Sequence, residues 1–557
     1  MNKLFYGDCL EIMRQGYLSK NSVDLIYLDP PFNSKKNYNL MYRTMTGLPV
    51  SEQVEAFCDT WELDADKERA AREMPVLMRE KGVDEYYIDF WHHWIKALRN
   101  TQPRTLAYLI YMVERLLWMR HILKPTGSLY LHCDTTVSHY IKVMLDGIFG
   151  HGNFRNEIIW KRTTTHSDSK TWSRVSDSIL FYTRGPKFTW NTPHEPHSEA
   201  YRDTKYRYDD GDGRGLYRLD NMTSPSPRHR MMYEWKGFPH PANGWRYKPE
   251  TMRSLDENGR IWYPKRPDGS FDTSKRPQLK RYLSTAKGGV MGNIWTDISP
   301  VNSQATERLG YPTQKPTELL DRIVLASSKK GDVVFDPFCG CGTTIYSAHK
   351  NQRRWVGCDI AILAIRLVKT VLSERYGLVE GAHYEVDGIP VSVEQAQELF
   401  KRDPFQFQHW AVELVGGFPS SRRSGDKGID GRLYFETLDS GLKEMVISVK
   451  GGKLRPSDVR DLVGVVLGET TGDGGTVEMG AFLSLQEPTA AMREAAAKAG
   501  MYEYRGAHYP RVQLLTVREI LEEGRELRTP TTVKVKGATG QTSLPLVQRV
   551  QGDRVAE

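Results

Sequence analysis

Residues 333–344, Val333-Val334-Phe335-Asp336-Pro337-Phe338-Cys339-Gly340-Cys341-Gly342-Thr343-Thr344, leave an apolar β-branched run for a loop of small residues and enter the helix-like Ile345-Tyr346-Ser347-Ala348-His349-Lys350. Small residues at a strand end let backbone approach a ligand closely, and this loop opens with an acid, Asp336. Neither G-x-G-x-x-G nor G-K-[ST] occurs in it, so a dinucleotide or triphosphate loop does not account for it. The next strand-like run, Arg354–Cys358, ends at a second acid, Asp359. It follows the loop near the offset of about 20 residues at which ribose-binding acids occur in Rossmann-like sheets. Strand, loop, helix, strand and acid in this order predict a doubly wound α/β sheet.

The N-terminal part repeats that rhythm. Val23–Leu28 is apolar on both faces, as in a central strand covered by helices, and Asp29-Pro30-Pro31-Phe32 then stops it, because proline cannot extend a ladder. Apolar residues at helical spacing over 88–123 close on Lys124-Pro125-Thr126-Gly127. Strands are expected at 128–132, 157–160 and 178–182, with a helix over 139–150, and the alternation resumes with a helix over 317–325. From about 185 to 304 the pattern breaks into a Gly-, Pro-, aromatic- and Arg/Lys-rich segment, too long for a plain loop and too aromatic for disorder, which predicts an inserted module. The expected division is 1–184, 185–304, 305–390, 404–523 and a tail, 524–557, that lacks helical periodicity and reads as partly disordered.

Lys and Arg exceed Asp and Glu by 77 to 69, a net charge of +8, which suits a polyanionic partner without identifying one. Six cysteines lack C-x-x-C spacing, so neither a zinc site nor a disulfide framework is indicated. The opening MNKLFYGDCLEIM has no long apolar core, and no apolar run approaches the roughly 20 residues of a membrane span. A reduced, cytoplasmic protein that does not enter membranes is expected.

LDPPFN at 28–33, GYPTQKP at 310–316 and FDPFCGCGTT at 335–344 together resemble an amino-methylating DNA methyltransferase of the β class, over most of residues 1–375. GSLYLHCD, FRNEIIWKR and SDSILFYTR are similar to strand motifs of that family. The resemblance implies a Rossmann-like S-adenosylmethionine-dependent methyltransferase sheet, its catalytic half preceding its cofactor half, with a target-recognition module between. It implies that Asp336, Thr343 and the backbone around Phe338, Gly340 and Gly342 hold the methionine part of S-adenosylmethionine, that Asp359 takes the ribose and that Asp8 lies near the adenine. Thr313, Lys315 and Pro316 close the other side of the pocket, with Lys315 near the methionine carboxylate, and no metal is involved.

For catalysis the resemblance implies the Asp29-Pro30-Pro31-Phe32 stretch. An exocyclic amine is a weak nucleophile because its lone pair is delocalised into the ring. Hydrogen bonds to Asp29 and to the carbonyl of Pro30 free that pair by positioning and electrostatics. The target base must leave the duplex, at a cost of a few kcal/mol, and Phe32 recovers part of this by stacking. An Asp at the start of the motif favours adenine N6 over cytosine N4, whose enzymes usually carry Ser there. The permuted motif order and basic insert disfavour a methyltransferase for RNA, protein or a small molecule. Within the insert, Arg207, Arg214, Arg246, Lys265, Arg266, Lys280 and Arg281 are expected to contact double-stranded DNA.

Further on, GDKGIDG at 425–431 and ISVKGGKL at 447–454 resemble an Mrr-like domain of the PD-(D/E)xK nuclease fold, a restriction-endonuclease-like α/β domain. Asp430 and Lys450 match its pattern, with Glu413 and Asp426 as further acids and magnesium expected at Asp430. Ser448 stands where that fold usually carries a metal-ligating acid or Gln. Two readings follow: a magnesium-dependent nuclease, making a one-chain restriction–modification enzyme, or a degenerate fold used for DNA binding or assembly, which Ser448 favours. A homodimer and a separate restriction or translocase subunit are both compatible with the sequence.

Overall fold

The computed structural model describes residues 2–31, 37–40, 54–58, 61–165, 170–302, 305–309, 311, 313–420, 428–437, 441–468 and 477–530. Phe32, Asp426 and residues 531–557 of the expected tail lie outside these. Nine strands form one sheet in the order Ile294–Trp295, Phe154–Lys161, Ser176–Thr183, Leu123–Cys133, Val23–Leu28, Val333–Asp336, Arg354–Asp359, Asn2–Tyr6, Tyr384–Asp387. From Leu123–Cys133 to Tyr384–Asp387 all neighbours are parallel, while Ser176–Thr183 runs against both of its own.

Alternate residues of the central strands enter opposite cores, because side chains alternate across a sheet. Leu4, Tyr6, Leu25, Tyr27, Val334 and Trp355 pack with helices Thr317–Ser327, Thr343–Lys350 and Ile362–Tyr376. Phe5, Ile26, Leu28, Phe335 and Val356 pack with helix Pro103–Ile122, which is apolar almost all round because helices also cover its outer side. Each fully buried Leu or Ile there contributes about 1.5–3 kcal/mol.

The structure departs from the sequence expectations in several places. Asn2–Tyr6 lies among the cofactor-side strands, so 1–184 is a division of sequence and not of the sheet. The helical run at 88–123 is two helices, Glu85–Thr101 and Pro103–Ile122, since Pro103 has no N–H and takes a first-turn position. Lys124–Gly127 lies within the strand Leu123–Cys133 as an irregularity. Leu123 pairs with Val23 and Ser128 with Leu25, and Lys124 is held by Asp24 at 2.8 Å.

Residues Thr192–Gly292 form a separate compact unit, shorter than 185–304. Asn191 instead bonds back to Ala326, and Ile294–Trp295 extends the large sheet. The unit carries a three-stranded antiparallel sheet, Ile261–Trp262, Gln278–Tyr282 and Tyr217–Asn221, over a core of Met222, Phe238, Trp245, Met252, Ile261 and Leu279.

C-terminal to the large sheet, helices Val393–Arg402 and Pro404–Leu414 precede a five-stranded sheet ordered Phe418–Pro419, Gly431–Thr437, Gly441–Lys450, Val477–Ser484, Val512–Thr516. The first three strands are antiparallel and the last two join in parallel. Helix Val393–Arg402, ahead of residue 404, packs on Pro404–Leu414. Phe407, Trp410, Leu433 and Ile447 belong to the same continuous apolar cluster as Tyr6, Ile362 and Ile365. Among the described residues no helix is long and apolar enough to cross a membrane.

Gly342 begins helix Thr343–Lys350 at φ +86°, and a Cβ there would meet Val368 at 2.8 Å and Tyr346 at 2.9 Å. Gly342→Ala should therefore cost about 1–3 kcal/mol of stability, read as a lower urea midpoint with an unchanged slope.

Candidate active site

Strand register gathers the acids. Ile26 pairs with Phe335, Asp336 with Gly357 and Tyr6 with Asp359. Parallel strands in these registers end together, so Asp29, Asp336, Asp359 and Asp8 all leave one edge of the sheet, where ligands bind in open α/β folds. The glycine loop closes on the neighbouring strand: the Cys339 N–H donates to the Cys358 carbonyl at 2.9 Å, and the Gly340 N–H to Asp359 Oδ2 at 2.8 Å. The second Asp359 oxygen accepts from the Ala361 N–H at 2.9 Å, and Asp336 Oδ1 from the Phe338 N–H at 3.1 Å.

Burial pushes the Asp336 carboxyl up to about 7, with the charges of Asp29 and Asp359 adding to it, although bonds from Thr344 and Phe338 pull the other way. Burial likewise pushes Asp359 up to about 6 against its backbone bonds. A pocket of mutually repelling carboxylates favours a cationic ligand.

Asp29 has two distinct oxygens. Oδ2 accepts from the Lys315 ammonium, whereas Oδ1 is buried with no hydrogen-bond partner among the described residues. Leaving such an acceptor unpaired costs about 1–3 kcal/mol, an expense retained where a ligand supplies the missing donor. Sequence resemblance sets Lys315 beside a cofactor carboxylate; the structure sets it on Asp29. Pro30 and Pro31 follow directly, and Pro316 precedes helix Thr317–Ser327, whose first N–H is taken by Glu307. Thr313 lies in the turn before it, and Thr343, 7 % exposed, opens the helix after the glycine loop.

Asp8 stands at the same edge with both oxygens engaged. One caps helix Cys9–Arg14 through the Leu10 N–H at 2.8 Å, and the other pairs with buried Arg115, whose guanidinium lies 3.3 Å over the Tyr111 ring. Tyr111 in turn approaches Phe338, with ring centroids 6.5 Å apart. Arg115 carries no sequence signal, since it is one of several charged residues, with Arg104, Glu114 and Arg120, in its helix.

Behind strand Val23–Leu28 runs a buried polar chain that sequence reasoning also missed. Tyr27 Oη lies 2.9 Å from His132 Nδ1, and His132 Nε2 lies 3.1 Å from Asp177 Oδ2. Burial raises the Asp177 carboxyl, yet the bond to His132 and the charges of Arg162 and Lys315 hold it below the usual carboxylate range. Strands carrying LHCD and SDS supply His132 and Asp177, but only the pairing of His132 with Ile179 puts them together.

In the Thr192–Gly292 unit several expected DNA contacts are tied up internally. Arg214 pairs with Asp212 and covers the Tyr282 ring, Lys280 pairs with Asp210, and Arg281 and Arg246 share Asp220. Arg207, Lys265 and Arg266 are exposed.

In the C-terminal unit Asp430 Oδ2 accepts from the Val449 N–H at 2.7 Å. Buried Ser448 and Lys450 line a cleft of about 730 Å³ with Asp458, Arg460 and Asp461. Glu413 is turned elsewhere: its carboxyl accepts from Tyr6 and from the Ile362 N–H. Among the described residues no three or more carboxylate, imidazole or thiol groups gather where they could hold a metal ion.

A family model described as DNA methylase matches residues 23–370. The chain is similar to the type II methyltransferase M.EcaI of Enterobacter cloacae, 34% identical over 266 residues, covering 47% of this chain and 56% of that protein. It is similar to the StyLTI Mod subunit, a type III restriction–modification enzyme of Salmonella typhimurium, 26% identical over 383 residues, 64% of this chain and 52% of that one. A shorter match, 46% identical over 71 residues, joins 13% of this chain to 24% of the DNA adenine methyltransferase YhdJ of Escherichia coli. The chain thus spans about half the length of the first two relatives.

Because Asp336 is held near 7 in the folded protein, against about 3.9 in an unfolded chain, the folded state binds more protons between those values and loses stability as pH rises through them. Asp336→Asn should leave thermal stability near wild type at pH 4 and raise it at pH 8 by on the order of 2 kcal/mol. Melting curves at both pH values check this; equal melting at pH 8 would show that Asp336 ionises without penalty.

Proposed function

Since the chain belongs to the DNA methylase family matched over residues 23–370, we propose that it transfers a methyl group from S-adenosylmethionine to the N6 amine of an adenine turned out of double-stranded DNA. The observation that carries this reading is Asp29 with one oxygen held by Lys315 and the other buried with no hydrogen-bond partner among the described residues, at the strand edge shared with Asp336 and Asp359. Asp359 would accept the ribose hydroxyls, and Asp336 and the Phe338–Gly342 backbone would hold the methionine part. When bound, S-adenosylmethionine supplies an electrophilic methyl group, and its sulfonium and ammonium charges suit the acid-rich pocket.

Asp29 Oδ1 would accept one hydrogen of the target amine and the Pro30 carbonyl the other, drawing the nitrogen lone pair out of conjugation. Lys315 holds Asp29 Oδ2, so the other oxygen is oriented before the base arrives. Phe32 would stack on the base. Adenine is supported by the aspartate that opens the motif and by the local match to a DNA adenine methyltransferase. Exposed Arg207, Lys265 and Arg266 of the Thr192–Gly292 unit would supply DNA contacts. A restriction–modification setting, with a separate restriction subunit, is supported by the Mod-subunit relative.

The C-terminal unit reads as a degenerate nuclease fold, given Ser448 in place of an acid and Glu413 directed away. Incubated with unmethylated DNA and magnesium, the protein should leave the strands intact. Breaks that disappear in Asp430→Ala and Lys450→Ala would restore the nuclease reading.

Labelled methyl transfer to duplex DNA, followed by nucleoside separation, should place label in N6-methyladenine. Asp29→Ala should keep cofactor affinity and lose about 10²–10³-fold in transfer rate. Label in cytosine would make this an N4 enzyme, and label only in RNA would overturn the reading.

A further inference from the structure

Helix Pro404–Leu414 belongs to the C-terminal unit, yet two of its side chains end on the turn that follows Asp359. Gln406 Nε2 donates to the Ile360 carbonyl at 3.2 Å. Glu413 Oε2 accepts from the Ile362 N–H at 3.3 Å and from the Tyr6 hydroxyl at 3.3 Å. Seven positions apart, Gln406 and Glu413 share one helix face two turns apart, which sets their spacing along the turn.

Ile362 opens helix Ile362–Tyr376, whose N-cap position, Ala361, offers no side-chain acceptor. Glu413 provides that acceptor from helix Pro404–Leu414, 51 residues further along the chain, filling the role a Ser or Asp normally fills locally. From the other side the turn is tied by the Ala361 N–H to Asp359 Oδ1 and by the Gly7 N–H to the Asp359 carbonyl, each at 2.9 Å. Asp359, Ile360, Ala361 and Ile362 are therefore gripped residue by residue, half of the grip coming from the C-terminal unit.

Gln406 is 6 % exposed, and the Glu413 carboxyl is pushed up to about 8 by burial, with Asp359 adding and Ile362, Arg366 and Tyr6 opposing. At neutral pH it is mainly the neutral acid, whose oxygen still accepts both bonds without setting a second full charge near Asp359.

We propose that Glu413 and Gln406 are positioning residues for the cofactor: the C-terminal unit holds the Asp359–Ile362 turn so that the Asp359 carboxylate is preset for the ribose hydroxyls. The inference rests on the reading of Asp359 as the ribose acceptor. It makes the C-terminal unit a structural part of the cofactor site, independent of any nuclease chemistry.

The test is titration of the full-length protein with S-adenosylmethionine, paired with steady-state methylation. Asp359→Ala should abolish binding; binding at wild-type strength would overturn the ribose reading itself. Glu413→Ala should weaken binding about tenfold and raise the KM for cofactor, leaving kcat at saturating cofactor and the KM for duplex unchanged. Glu413→Gln, whose amide carbonyl accepts the same two bonds, should return affinity to within about twofold of wild type. If Asp359→Ala abolishes binding while Glu413→Ala binds as wild type, the positioning role falls. Should Glu413→Ala fail to fold, Gln406→Ala decides, with about threefold weaker cofactor binding expected and unchanged binding overturning the proposal.

Discussion

Parallel pairing of Val23–Leu28 with Val333–Asp336, Leu25 against Val334 and Ile26 against Phe335, is the contact on which the rest depends. Only through it do Asp29 and Asp336, separated by most of the catalytic half and the whole Thr192–Gly292 unit, leave the sheet side by side. Closing a long loop costs little more than closing a moderate one, so a module can sit between the two strands without losing their register. What such an insertion requires is that the chain re-enter the sheet-bearing unit where it left. The bond from Asn191 to Ala326 and the short strand Ile294–Trp295 on Phe154–Lys161 do this at the two ends.

That register also creates an electrostatic problem. Acids brought to one buried edge lose their hydration, and burial leads Asp336 and Asp359 to hold protons to higher pH, with the charges of Asp29 and Asp359 adding at Asp336. Asp29 answers differently, by pairing with Lys315. The contrast separates two kinds of acid in one pocket. In the proposed reading Asp336 and Asp359 would face the cofactor, whereas Asp29, which would present a fixed acceptor to the amine, pairs with Lys315. The chain from Tyr27 through His132 to Asp177 backs the same strand with hydrogen-bonded polar groups.

Much of this was legible in the sequence wherever an apolar run met a proline, a glycine or an acid. Strand ends at Asp29, Asp336 and Asp359 are local events, and so is the glycine-rich loop. Arg115, His132 and Asp177 were not legible, because each acquires meaning from a partner on another strand or helix. The place of Asn2–Tyr6 between Arg354–Asp359 and Tyr384–Asp387 was hidden for the same reason: five apolar-rich residues fit any edge until pairing selects one. In the basic unit, Arg214 and Arg207 look alike as letters. Both are exposed, but an aspartate two residues before Arg214 engages it in an ion pair.

Glu413 shows how residue type alone misleads about chemistry. A carboxylate that ligates a metal must be ionised, and its surroundings must favour the anion. Around Glu413 the balance is reversed: burial and Asp359 favour the neutral acid more than Arg366, Tyr6 and the Ile362 N–H favour the charge. An acid so placed serves as a plain acceptor, and the apolar cluster shared by Trp410, Ile447, Ile365 and Tyr6 provides the burial that favours its neutral form.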